Sequence, residues 1–207
     1  MTPFTILAAQ ACPLPLPGVD TDQLIPARFM KRSRAEGYGG QLLHDMRFAA
    51  DGAPVADFAL NQPRFAGAQI LVARRNFGTG SSREAAVYAL ADYGFRCVIA
   101  PSFGDIFAAN AVNNGVLPAK VSEADAETLL DLLQSGTQPD LRIDLNACTI
   151  IADNRQFDFD IAPVWRTRLL NGWDDLDLTL SHRTAIERFQ QDDRATRPWA
   201  GITAAPG

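Results

Sequence analysis

The residues best suited to chemistry fall in one stretch, Arg75-Asn76-Phe77-Gly78-Thr79-Gly80-Ser81-Ser82-Arg83-Glu84. Gly78 and Gly80 allow a tight turn and a close approach of backbone to a ligand. Two hydroxyls and a guanidinium follow where a helix is predicted to begin. Free N–H groups and the positive end of the helix dipole favour an anion at such a place. Arg83 can grip a carboxylate with two parallel hydrogen bonds. A serine hydroxyl beside these positive charges loses its proton more easily than one in water. Three readings compete on spacing alone: a serine N-cap with ordinary turn glycines, a phosphate-binding loop, and a carboxylate site. No lysine follows the last glycine, so the Walker pattern is absent. Gly78-Thr79-Gly80 is followed by Ser81-Ser82-Arg83, so the dinucleotide fingerprint lacks its third glycine.

Other reactive residues are fewer. Asp22, in Val19-Asp20-Thr21-Asp22-Gln23, reads by itself as an Asx-turn or helix cap as readily as a site residue. His44 and His182 are the only histidines, and both lie among charged neighbours in surface segments. The three cysteines, Cys12, Cys97 and Cys148, are scattered and form no CxxC or Cys/His pair. They read as small core residues, the latter two within buried strands. No metal site or cluster built by this chain alone is expected. Trp173-Asp174-Asp175-Leu176-Asp177 lacks the spacing of a calcium loop and reads as a solvated turn or cap.

The elements that must hold these residues follow from periodicity and breakers. Residues 3–9 read as a first strand, broken by Pro13, Pro15, Pro17 and Gly18. Gln69–Ala73 is a compact apolar run and reads as a strand. Ser81–Tyr93 is predicted as a helix, capped by Ser81 or Ser82 and closed by Gly94. Arg96–Ala100 is a further strand, which makes a strand–loop–helix–strand unit. Short helices are predicted over Ser102–Asn113, Ala124–Gln134 (stopped by Gly136), Val164–Leu170 and Ser181–Gln190. Leu141–Asp160 alternates and reads as a hairpin or meander turning at Asp153-Asn154. Phe29, Met30, Tyr38, Leu42, Leu43 and Phe48 form either an apolar rim for a partner or part of the core.

Composition sets the outer limits. A chain of 207 residues with 47% hydrophobic residues can bury a core without disulfides or metals. A net charge of −5 argues against nucleic acid as the main partner. No apolar run approaches the ~18 residues of a membrane span. Met1–Ala11 lacks the basic flank and apolar run of a signal peptide, so a cytoplasmic location is expected.

Several motifs then fall in one order along almost the whole chain. They are Val19-Asp20-Thr21-Asp22-Gln23-Leu24-Ile25-Pro26, the loop Asn76–Glu84, Asp92-Tyr93-Gly94 and Val98–Phe107. Asn114-Gly115-Val116-Leu117-Pro118, Leu170-Asn171-Gly172-Trp173-Asp174 and Leu178-Thr179-Leu180 complete the set. In these the sequence resembles the small subunits of 3-isopropylmalate dehydratase, relatives of the mobile C-terminal domain of aconitase. The resemblance implies an α/β fold of the β/β/α swivelling kind, one domain over residues 1–207; the tail at 192–207, polar and proline-containing, reads as loose.

It implies a hydro-lyase that interconverts 2-isopropylmalate and 3-isopropylmalate through 2-isopropylmaleate, for leucine biosynthesis. Activity would need a large subunit, in a heterodimer or heterotetramer. The four-iron, four-sulfur cluster would sit on that partner, with one iron as Lewis acid on a malate-like substrate, and this chain would bind no cofactor. Ser81 would be the base that moves the carbon-bound proton. Ser82 and Arg83, beside Gly80, would bind substrate carboxylate. Asp22 would orient an arginine of the same site, Arg34 first and Arg32 second. The chain departs from the family in carrying Thr79 where cysteine is usual and Ala86 where histidine is usual. A hydratase for another substituted malate (homoaconitase- or methylmalate-type) is the alternative within the class. A free-standing anion-binding domain and a small subunit that only docks are the alternatives outside it.

Overall fold

The structure, a computed structural model, describes residues 1–31, 33–135 and 140–200, with the backbone alone at Arg34. Contacts gather the chain into two units, Met1–Gly172 and Trp173–Gly207.

The first unit holds eight strands among the described residues: β1 (Ile6–Ala9), β2 (Ala11–Leu14), β3 (Ile70–Ala73), β4 (Cys97–Ala100), β5 (Leu117–Lys120), β6 (Leu141–Asp144), β7 (Thr149–Ala152) and β8 (Arg155–Asp158). Its helices are α1 (Thr21–Leu24), α2 (His44–Arg47), α3 (Glu84–Tyr93), α4 (Asp105–Asn113), α5 (Glu123–Gln134) and α6 (Pro163–Asn171). β2-β3-β4-β5 form a parallel sheet and β1-β6-β7-β8 an antiparallel one.

Side chains alternate across a strand, and here the alternation divides two cores. Leu71, Ala73, Val98 and Ala100 face one cluster, with Ala86, Val87, Ala89 and Leu90 of α3. Ile70, Val72, Cys97 and Ile99 face the other, with Leu129, Leu130 and Leu133 of α5 and with Ile143 and Ile150 of the antiparallel sheet. Every residue of β3 and β4 is buried, as expected for central strands covered on both faces. Each large aliphatic residue in these layers contributes about 1.5–3 kcal/mol by leaving water. Sheet, sheet and helices make the expected β/β/α arrangement.

Some local expectations need correction, and others resolve between the readings the sequence left open. Pro13 does not end a strand but lies inside β2, paired with Val72. β2 is an edge strand, where a missing N–H leaves no ladder bond unmade on the open side. Ser81 and Ser82 do not cap α3, which begins at Glu84 with Arg83 at the cap position. The Thr21 hydroxyl takes the Ser81 carbonyl and the Thr21 N–H takes the Thr79 carbonyl, so the loop is held off the helical path. α4 likewise starts at Asp105 rather than Ser102, because Ser102 and Phe103 are paired with the preceding loop. Cys148 sits in the turn before β7 with φ 54°, not in a buried strand. Of the two readings offered for the Phe29–Phe48 apolar set, core packing holds: Tyr38, Leu42 and Leu43 are core residues, and Phe29 and Met30 pack against that core. The Gly136 stop lies outside the described residues. The turn at Asp153-Asn154 stands as read, both residues left-handed, as a two-residue hairpin turn requires.

The second unit contains α7 (Asp175–Ser181) and α8 (Arg183–Thr196). Asp174 caps α7 through a reciprocal pair of bonds with Asp177. The tail expected to be loose from Asp192 is helical to Thr196, tied by the Arg183–Glu187 and Asp193–Arg197 pairs one turn apart. Residues 201–207 of that tail lie outside the described residues.

Two glycines separate backbone strain from crowding. Gly18 (φ 66°) has open space where a Cβ would point, whereas a Cβ on Gly78 (φ 72°) would overlap the Phe107 ring. Gly18→Ala should cost about 1–2 kcal/mol of unfolding free energy from strain alone. Gly78→Ala should cost a further 1–3 kcal/mol, roughly, from overpacking. Chemical denaturation of both variants measures the difference.

Candidate active site

The parallel sheet continues as paired loops beyond the C-terminal ends of its strands. After β2, Asp20 pairs with Thr79 of the loop after β3; after β4, Phe103 pairs with Phe77 of that same loop. The rungs are Gly18 N–H to Arg75 O (2.8 Å), Gly78 N–H to Val19 O (2.7 Å), Thr21 N–H to Thr79 O (2.9 Å), Phe77 N–H to Ser102 O (3.0 Å) and Gly104 N–H to Phe77 O (2.9 Å). Ligands in open parallel sheets bind at this end of the strands.

The loops enclose a cleft of about 190 Å³, lined by Thr21, Gly78, Gly80, Ser81, Arg83, Asp105, Ile106 and Phe107. Gly80 has φ 98° and lies against Thr21, so the turn into Ser81 depends on its freedom. Thr21 is 2% exposed, and its hydroxyl donates to the Ser81 carbonyl at 2.8 Å. The Ser81 peptide is therefore clamped while its side chain is exposed. Among the described residues neither the Ser81 nor the Ser82 hydroxyl has a hydrogen-bond partner.

Arg83, with an 18% exposed side chain, donates from Nη1 to Asp22 Oδ1. Asp22 is thus paired with Arg83; the sequence expectation had it orient another arginine, Arg34 first and Arg32 second. Arg34 opens a short 3-10 turn over Arg34–Glu36, but its side chain and the whole of Arg32 lie outside the described residues. Of the residues singled out in the sequence, Asp22, Gly80, Ser81 and Arg83 come together. Ser82 is exposed and is not part of the cleft lining.

Glu84, the carboxylate that follows Arg83, accepts from Asn114 Nδ2 at 3.1 Å and stands in the first turn of α3. A carboxylate is favoured at that end of the helix dipole. The Thr79 hydroxyl donates to Asn76 O at 3.3 Å, within its own loop. Ala86 is fully buried in the core under α3. Neither departure from the family pattern contributes to the cleft lining. Sequence reasoning missed Thr21, Asp105 and Ile106. The usable signal was Gly104, which seats against the Gly78 backbone and so brings the head of α4 to the loop.

Cys12 and Cys97 lie on opposite faces of the parallel sheet, and Cys148 lies in a hairpin turn. These thiols cannot ligate one cluster, and no group of three His, Cys, Asp or Glu side chains suited to a metal comes together among the described residues. No helix among the described residues is long and apolar enough to cross a membrane.

Comparison with known proteins gives the chain a family. The family described as the aconitase C-terminal domain matches residues 1–124. A 3-isopropylmalate dehydratase small subunit of Granulibacter bethesdensis is 45% identical over 96% of each chain. The protein of the same name from Rhodospirillum centenum is 44% identical over 97% of this chain and 99% of its own. A crystal structure of 3-isopropylmalate dehydratase from Methanocaldococcus jannaschii, 24% identical, has a TM-score of 0.61 over 89% of this chain and 99% of its own, a likeness of fold. The chain belongs to the aconitase C-terminal domain family and, within it, to the 3-isopropylmalate dehydratase small subunits.

Burial makes the thiols distinguishable. Removal from water pushes the Cys12 thiol up to about 12 and that of Cys97 higher still. Iodoacetamide at pH 8 should label Cys148, which is only half-buried, before either of the others. Cys12 and Cys97 should react only on unfolding, which mass spectrometry of the labelled peptides will report.

Proposed function

We propose that this chain is the small subunit of a 3-isopropylmalate dehydratase. In that role it interconverts 2-isopropylmalate and 3-isopropylmalate through 2-isopropylmaleate, in leucine biosynthesis. The carrying observation is that Ser81 and Arg83 open on one cleft, with the Ser81 peptide clamped and its hydroxyl unbonded among the described residues. The near-full-length likeness to proteins of that name supports the same reading. The whole chain works as one swivelling domain that closes on a large subunit, and the four-iron, four-sulfur cluster belongs to that partner.

The chemistry assigned to this chain is proton transfer and substrate grip. Dehydration needs a base at a carbon-bound proton next to a carboxylate. Ser81 takes that proton and returns it to the neighbouring carbon when the intermediate adds water in the other sense. Arg83, with the free N–H groups at the start of α3, stabilises the serine alkoxide and holds the carboxylate. Asp22 fixes the direction of the guanidinium fork. Ser82, exposed beside the lining rather than in it, adds a second contact where the carboxylate emerges from the cleft.

The test is the chain co-expressed with a cluster-bearing large subunit and assayed on 2-isopropylmalate and 2-isopropylmaleate. Ser81→Ala should lower kcat about a thousandfold, the range of a lost general base. Ser82→Ala should act mainly on KM. Exchange of the substrate's carbon-bound hydrogen with deuterated solvent should stop in the Ser81→Ala complex. Undiminished exchange would pass the base to Glu84 or to the partner.

The arginine makes a separate prediction. Arg83→Lys keeps the charge but loses the fork, and Asp22→Asn keeps the fork but releases it. Each should lower kcat/KM about 10- to 100-fold, the size of a charged hydrogen bond. The melting temperature should barely move, because Asp22 is 55% exposed and the pair is screened by water. A matching loss of stability would mark the pair as a structural tie instead.

A further inference from the structure

We propose that Ile106 and Asp105 select the substituent on the substrate, Ile106 by receiving a short branched alkyl group and Asp105 by repelling an acidic one. The inference rests on the function proposed above and specifies its substrate. Ile106 is 53% exposed yet lines the same cleft as Ser81 and Arg83. A lone exposed isoleucine means little on an open surface. Within the cleft it is different, because the other walls are polar or already committed. The Thr21 hydroxyl is used on Ser81, Gly78 and Gly80 offer only backbone, and Arg83 and Asp105 are charged. The Phe107 ring is 3% exposed. Ile106 is therefore the well-exposed apolar side chain of the lining.

Its outward direction is imposed by its neighbours. Phe107 packs edge-on against Phe77, with ring centroids 5.3 Å apart, and fills the space that Gly78 leaves open. The Gly104 N–H is bonded to Phe77 O, which fixes where α4 begins. Successive helix residues point roughly 100° apart. With Phe107 held in the core, the first turn of α4 cannot roll to bury Ile106 or to carry Asp105 away.

The substrate's geometry meets this wall. A substituted malate presents two carboxylates, one hydroxyl and one side group. With a carboxylate on Arg83 and the adjacent C–H at Ser81, the side group lies one or two carbon–carbon bonds from the proton. An isopropyl group there leaves water against Ile106. A carboxymethyl group in the same place meets the Asp105 carboxylate, and like charges brought together cost affinity.

The experiment uses the complex with the large subunit and three maleates bearing isopropyl, methyl or carboxymethyl groups. Ile106→Ala, with Ile106→Val as the milder step, should lower the ratio of kcat/KM for isopropyl over methyl about tenfold, in the range set by lost methyl and methylene contacts. Asp105→Asn should lower the ratio for isopropyl over carboxymethyl about tenfold. Thermal unfolding of each variant will verify that the exposed substitutions leave the fold intact. An active wild-type complex whose ratios do not move in the variants would overturn this assignment and leave the proposed function standing. A wild-type complex that turned over none of the alkyl substrates would overturn the function and the assignment together.

Discussion

Everything at the cleft depends on one close approach, the seating of Gly78 on the Phe107 ring. A side chain at residue 78 would occupy the ring's place. Because it is absent, the loop after β3 can lie between the loops after β2 and β4 and pair with both. That pairing carries sheet geometry past the ends of the strands, so a site made of loops has nearly the rigidity of one made of strands. Thr21 can then reach the Ser81 peptide and Asp22 the Arg83 fork, although each crosses about sixty residues of sequence. The ordering of so many loop residues costs conformational entropy, which the apolar layers below must offset.

Charge and burial are separated within the site. Thr21, the polar residue nearest the core, has its hydroxyl bonded and is 2% exposed. The charged groups, Arg83, Asp22 and Asp105, stay at the water side of the loops. In an open cleft of this kind the Coulomb terms are weak, because water screens them. Covering it by a second chain would strengthen each of those terms without moving a residue of this one. The two departures from the family pattern do not disturb this division, since Thr79 bonds within its loop and Ala86 is buried under α3.

The sequence made the central strands, α3, α5 and the Asp153-Asn154 turn legible, because each has a signal confined to a few neighbours. Apolar runs without a break gave β3 and β4; leucines at helical spacing gave α5; Gly94 ended α3 in a left-handed cap. The glycine–serine–arginine loop and Asp22 were also legible as residues. Their pairing was not, because the Arg83–Asp22 contact links residues 22 and 83 and is decided by strand order. The late start of α3 was hidden for the same reason: serine before an apolar run reads as a cap unless one knows that Thr21 holds the Ser81 carbonyl. Pro13 misled in the opposite direction, since a proline breaks a central strand but suits an edge, and edges are a property of the sheet.

The prolines have a wider consequence. The parallel sheet has two outer strands, β2 and β5, and each carries one proline, Pro13 and Pro118. The inner strands β3 and β4 carry none. On the β5 side Lys120 is also bridged to Asp160. A free sheet margin is a template on which another chain can add itself as a further strand, in fibrils and in mispaired dimers alike. Here both margins lack a continuous row of donors, so lateral growth of this sheet is blocked by composition before any question of solubility arises. The sheet whose loops carry the cleft is thereby kept from adding strands along either of its margins.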